Sequence, residues 1–129
     1  MAVRIVRLGS PRLPGEGVRL GTVRRPPRGV RKADYAALDY FDVWYPELAP
    51  SAGLVRWLFA EPITAARWEK FAKTYRREMS EPAVDRTLQV LARLSHTADF
   101  SIGCYCEDEA RCHRSVLREL FAGHGAELA

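Results

Sequence analysis

The chain has 129 residues, of which 47% are hydrophobic and 28% charged, with 8 Pro and 9 Gly. These are the proportions of a globular domain and exclude a disordered or low-complexity chain. No apolar run approaches the roughly 18–20 residues a membrane span requires, and Arg4 and Arg7 interrupt the N-terminus before a signal-peptide core can form. The expectation is a cytoplasmic protein with no membrane partner. The net charge of +4 is unevenly spread: residues 1–32 hold nine basic side chains against Glu16 alone. That first third offers a surface for an anionic ligand or a nucleic acid, or it is neutralised within the fold.

In chain order, Val3 to Leu8 alternates apolar and basic residues as a half-buried strand does, and Gly9-Ser10-Pro11 stops it. After the Pro/Gly-rich connection from Pro11 to Gly17, Val18 to Val23 alternates again. It runs into Arg24-Arg25-Pro26-Pro27-Arg28-Gly29, a stiff basic loop. Asp34 to Trp44, with Leu38, Phe41 and Trp44, predicts a short helix ended by Pro46. Ser51 reads as a helix N-cap before the apolar stripe of Leu54, Trp57 and Leu58. Thr64 caps the next helix, whose Trp68, Phe71, Ala72, Tyr75 and Met79 share one face expected to be core. Pro82 opens a third helix reaching about Ser95. Phe100 to Cys106 reads as a short buried strand, and a last helix carries Val116, Leu117, Leu120 and Phe121 to a stop at Gly123, with 126–128 as an edge strand. Strands separated by helices predict one small α/β domain with a mainly parallel sheet covered by helices.

The reactive side chains are concentrated in Cys104-Tyr105-Cys106-Glu107-Asp108-Glu109-Ala110-Arg111-Cys112-His113-Arg114-Ser115. An odd number of cysteines in one short segment is no disulfide framework; it points to local chemistry. Cys112, at a helix N-terminus beside His113, Arg111 and Arg114, is the candidate nucleophile, because the helix dipole and cationic neighbours favour a thiolate. Three preceding acids oppose this, and the Cys-x5-Arg spacing of phosphatase loops is absent. A zinc site is not expected, since Cys104 and Cys106 should point to opposite faces of a strand. A reversible Cys104–Cys112 or Cys106–Cys112 disulfide is a further reading. In the plainest one, Cys104 is a small buried hydrophobe and His113 only hydrogen-bonds a loop carbonyl.

Three groups of residues carry a resemblance to the YeaO-like branch of the domain-of-unknown-function 488 (DUF488) family, over almost the whole chain. Arg24, Pro27, Arg28 and Gly29 followed by Arg31-Lys32 are similar to that branch's Arg-Leu-Trp-Pro-Arg-Gly loop, with Arg25-Pro26 in place of Leu-Trp. Trp44 with Glu47-Leu48-Ala49-Pro50-Ser51 is similar to its Trp-x-Lys-Glu-Leu-Ala-Pro-Ser motif, and Trp68, Phe71, Tyr75 and Glu78 fit its following helix. Cys104, Cys112, His113, Arg114 and Ser115 fit a pattern of the wider family, a cysteine, seven residues, then Cys-His-Arg-Ser; Cys106 lies outside it. The resemblance implies a compact α/β fold with a site, and no established activity.

Two functional readings follow. In the first, an enzyme acts on an anionic or nucleotide-like small molecule, with Cys112 and His113 catalytic and Arg24, Arg28 and Arg114 holding the anion. In the second, a non-catalytic nucleic-acid or regulatory binding module uses the basic first third. The sequence names no cofactor and no oligomeric state. If the strands preceding the two loops are parallel, both loops emerge on one sheet edge and share a site. Otherwise Arg24 and Arg28 pair with Glu107, Asp108 or Glu109 in a structural network.

Overall fold

The computed structural model describes residues 1–129. Strands β1 (Val3–Arg7), β2 (Val18–Gly21), β3 (Val43–Trp44) and β4 (Phe100–Cys104) form one sheet in the order β1-β4-β2-β3, and every neighbouring pair is parallel. Helices α1 (Ala52–Phe59), α2 (Ala65–Met79) and α3 (Pro82–Leu94) lie in sequence between β3 and β4, and α4 (His113–Gly123) follows β4. This is the small α/β fold that the alternation of strands and helices predicts. No helix is long and apolar enough to cross a membrane.

The central position of β4 explains its composition. Both of its edges are paired and all five of its residues are buried, so it carries no charge. Ile102 stands between Ile5 on one side and Leu20 on the other. Phe100, Ile102, Val3 and Leu20 join Phe71, Tyr75, Leu88, Leu117 and Phe121 in the main core. Each such side chain contributes about 1.5–3 kcal/mol by leaving water.

The helices start where the sequence signals place them. Ser51 Oγ accepts from the Leu54 N–H and Thr64 Oγ1 from the Arg67 N–H, at 3.3 and 3.1 Å, and Pro82 occupies the first turn of α3. The face of α2 is core as expected: Phe71, Tyr75 and Met79 are buried and Trp68 is half-buried.

The segment from Asp34 to Trp44 departs from expectation. It is no helix but a 3-10 turn at Lys32–Asp34, a bend with Asp39 at φ +62°, and the edge strand β3. Tertiary packing overrides helix propensity here. Phe41 is buried flat against Gly21, where an added Cβ would lie 2.3 Å from the ring, and Trp44 Nε1 donates to the Val23 carbonyl at 2.8 Å. Three boundaries also shift: β2 ends at Gly21, β4 ends at Cys104, and α4 incorporates Gly123, the positive-φ glycine being Gly125. The expected last strand is reduced to one parallel bridge, Val3 to Leu128.

Candidate functional site

Because β2 and β4 are parallel neighbours, the loops after them leave the same edge of the sheet. Between these loops, α1 and the start of α2 lies a cavity of about 330 Å³. Its wall is mostly apolar, with Val55, Leu58, Phe59, Trp68 and Phe71 facing Cys104, Cys106, Cys112 and His113, and its rim carries Arg24, Arg25, Arg56 and Arg111. Trp68 and Phe71 stack at 5.1 Å between centroids, which stiffens that wall. Sequence reasoning assigned these two aromatics to core alone. Their helical stripe is core along most of its length, and its first two turns also line the cavity.

The three cysteines converge because β4 stops early. Cys104 is the last strand residue, so Cys106 lies in the turn beyond it and is free of strand alternation. The Cys104 thiol donates to Cys106 Sγ at 3.8 Å, and all three sulfurs lie within 4.8 Å of one another. The expectation that Cys104 and Cys106 point apart is therefore overturned, and with it the ground on which a metal was excluded. The sulfurs are unbridged.

Cys112 is the N-cap of α4, in extended conformation, and is 2% exposed. Arg114 Nε donates to Cys112 Sγ at 3.4 Å, and Arg114 Nη2 donates to the Cys106 carbonyl. The neighbouring Cys104 and then Cys106 thiols favour the ionised form of Cys112, and His113 adds to this. Together these outweigh the cost of burial and hold the Cys112 thiol far below its ordinary range. The Cys104 thiol is pushed up by the bonds it makes to Cys106 and Cys112, and then by burial. For Cys106 the bond from Cys104 works downward, but its bond to Cys112 and burial carry it upward. Of the three thiols, Cys112 is the one whose ionised form its surroundings favour.

His113 opens α4 with its ring buried. Nε2 lies 2.6 Å from the Thr22 carbonyl, which can only accept, so Nε2 carries a proton, and Nδ1 faces Cys112 Sγ at 3.8 Å. The carbonyl contact anticipated for His113 exists, and it holds the ring in place. The edge of the Tyr75 ring abuts the imidazole, and Tyr75 Oη donates to the Leu48 carbonyl at 2.6 Å.

The arginines singled out in the sequence part ways. Arg24 lines the cavity, but its Nε and Nη2 donate to the carbonyls of Pro50, Pro46 and Ala49, clamping the segment that leads into α1. Arg28 lines an adjoining shallow depression with Tyr40 and Tyr105. Arg25 borders both hollows and is exposed; its carbonyl accepts from Tyr105 Oη at 3.0 Å, while its guanidinium has no partner in the fold. Arg114 is 3% exposed and sits behind Cys112. The network of Arg24 and Arg28 with the acidic loop does not form: Glu107 pairs with Arg7, Glu109 with Arg118, and Asp108 caps its own turn. Arg25 was legible only as part of a basic run. Arg111 was legible only as a cationic neighbour of Cys112, and Arg56 had no local signal, since the fold alone brings it to the cavity.

The chain matches the family model described as the active DUF488-N3 subclade over residues 3–125. The match bears out the family expected from the Pro-Arg-Gly, Leu-Ala-Pro-Ser and Cys-His-Arg-Ser segments, and it does not confirm the YeaO-like branch. Among curated proteins and among solved structures, nothing matches.

Proposed function

Since the chain belongs to the DUF488 family, in the subclade described as active, we propose that it is an enzyme acting on an anionic, nucleotide-like small molecule, with Cys112 as the attacking group. The observation that carries this reading is the placement of Cys112 Sγ: at the N-terminus of α4, beside the Arg114 guanidinium, and bordering an apolar cavity. At about 330 Å³ the cavity is at the small end of ligand sites, the size of one planar ring system. Trp68, Phe59 and Val55 supply an apolar wall for a ring, and Arg25 and Arg28 supply free guanidinium groups for a phosphate or carboxylate outside it.

In this mechanism the Cys112 thiolate attacks an electrophilic carbon of the bound molecule as the bond from that carbon to its leaving group breaks, and the leaving group departs with the electron pair and takes a proton from water. His113 Nδ1, its ring held in place by the bond from Nε2 to the Thr22 carbonyl, accepts the proton of the water that then displaces the sulfur, and Cys112 leaves as the thiolate. Arg114 touches no ligand; it is a positioning residue that holds Cys112. Arg24 acts at one remove too, by fixing the loop from Pro46 to Pro50.

The test uses adenosine 5′-monophosphate and adenosine as probes, with calorimetric binding to the wild type, Arg25→Ala and Cys112→Ala. The expected result is that the nucleotide binds more tightly than the nucleoside, and that Arg25→Ala removes most of the difference, about tenfold. Cys112→Ala should leave binding in place. Equal affinity for both probes, insensitive to Arg25, overturns the anion assignment. If neither probe binds while single-stranded DNA binds with a steep salt dependence, the nucleic-acid module replaces the enzyme.

A further inference from the structure

Outside the attack role given to Cys112, the sulfur cluster has a second chemistry. We infer that Cys104, Cys106 and Cys112 form a binding site for one thiophilic divalent ion of the zinc type, and that its occupation withdraws Cys112 from reaction. The second half of this inference rests on the reading above; the first half does not.

Donor type and spacing carry the assignment. Ligands about 2.3 Å from a tetrahedral zinc stand about 3.8 Å apart. The Cys104 and Cys106 sulfurs are 3.8 Å apart, and the separations to Cys112, each no more than 4.8 Å, need to close by about 1 Å at most, which side-chain rotation supplies. No acidic oxygen belongs to the cluster, so the site is soft and suits zinc over magnesium or calcium. All three residues line the cavity, which gives the ion a way in and turns its fourth position toward that cavity. A three-sulfur set with an open fourth position is the arrangement of a reactive rather than a purely structural zinc.

Charge balance favours the same conclusion. Three thiolates and a divalent ion sum to one negative charge, and the buried Arg114 guanidinium, already bonded to Cys112 Sγ, offsets it without a carboxylate. Cys106, outside the Cys-His-Arg-Ser pattern, thereby acquires a role that the attack on a ligand does not give it. His113 Nδ1 faces Cys112 but stands outside the sulfur triad, so the ligand set is the three sulfurs alone.

The experiment titrates the intact, reduced protein with cobalt(II). The expected result is one equivalent bound, with intense thiolate-to-cobalt charge-transfer absorption that zinc abolishes. Cys106→Ser, the least buried of the three positions, should weaken cobalt affinity at least tenfold while circular dichroism confirms the native fold. One equivalent of zinc should protect Cys112 from iodoacetamide, and a chelator should restore labelling. Absence of the charge-transfer band, or an unchanged affinity in Cys106→Ser, overturns the metal site. Cobalt binding with undiminished Cys112 alkylation overturns the withdrawal. If the metal-free protein shows no preferential labelling of Cys112 while the cobalt band is present, the nucleophile reading fails and the metal site stands.

Discussion

Two buried arginines in this chain teach opposite lessons. Arg19, on β2, places its guanidinium against both oxygens of Glu16 and the carbonyls of Ser10 and Asp39, within 3.2 Å of each. Its charge is cancelled inside the fold, and it pins the Pro/Gly-rich connection from β1 to β2. Arg114, on α4, has no carboxylate partner; it donates to a sulfur and to a carbonyl. A buried cation balanced by a carboxylate is architecture. One whose side-chain partner is a cysteine sulfur at a cavity is the feature on which the proposed chemistry rests.

The largest effect expected from this contrast is at Arg19. Replacing it by Met keeps the apolar stem but strands Glu16 and two carbonyls, costing about 3–5 kcal/mol. Urea unfolding should show the midpoint fall with an unchanged slope. Adding Glu16→Gln should recover part of the loss, because the two changes act on one pair. Cys112 should remain the most rapidly alkylated thiol in both variants, and a change in that order would dissolve the distinction between the two regions.

Next in size is Arg114→Met, expected to cost about 1.5–3 kcal/mol for hydrogen bonds that involve a charged group. Unlike the Arg19 change, it should also slow iodoacetamide labelling of Cys112 at least tenfold at fixed neutral pH. A stability loss with labelling unchanged would put Arg114 in the same structural class as Arg19.

Gly103→Ala tests whether the central strand tolerates crowding beside the site. An added Cβ would meet the Val6 carbonyl oxygen at 2.7 Å and Leu8 Cδ2 at 2.6 Å, so the β1–β4 pair must separate. The expected cost is about 1–3 kcal/mol. Because Cys104 is the next residue, cobalt affinity should fall as well; a stable variant with intact cobalt binding would show that the sulfur cluster is insensitive to the strand below it.

The smallest effect is acid sensitivity of the carboxylate-held region. Burial alone would raise the Asp42 pKa, but the paired bonds from Arg12, the Arg19 N–H and both charges outweigh it and lower it. A depressed folded-state pKa stabilises the protein above the ordinary carboxylate range and loses that contribution as pH falls from about 4 through the folded-state value. With the Asp42 side chain 34% exposed, the effect should stay below about 1 kcal/mol. Urea melts of wild type and Asp42→Asn should differ near neutrality and converge at low pH; a gap that widens in acid would reverse the sign and refute the linkage.

Much of this protein is written locally in its sequence, because the signals concerned act within a few residues. Ser51, Thr64 and Pro82 start their helices through side chains or rings that engage the next turn. The apolar alternation of β1 and the uncharged run of β4 state how many faces each strand buries. The Cys-His-Arg-Ser segment, placed at a helix start, already named Cys112 and His113. The tertiary structure decided what depends on distant partners. Phe41 against Gly21 turned an apparent helix into β3, and the carbonyls of residues 46–50 converted Arg24 from an open rim group into a clamp. The end of β4 at Cys104 released Cys106 to fold back toward Cys104 and Cys112. Periodicity and capping are short-range constraints that the chain carries in every conformation. Which donor finds which acceptor across twenty to ninety residues is fixed only when the sheet closes and burial leaves each polar group a single partner to satisfy.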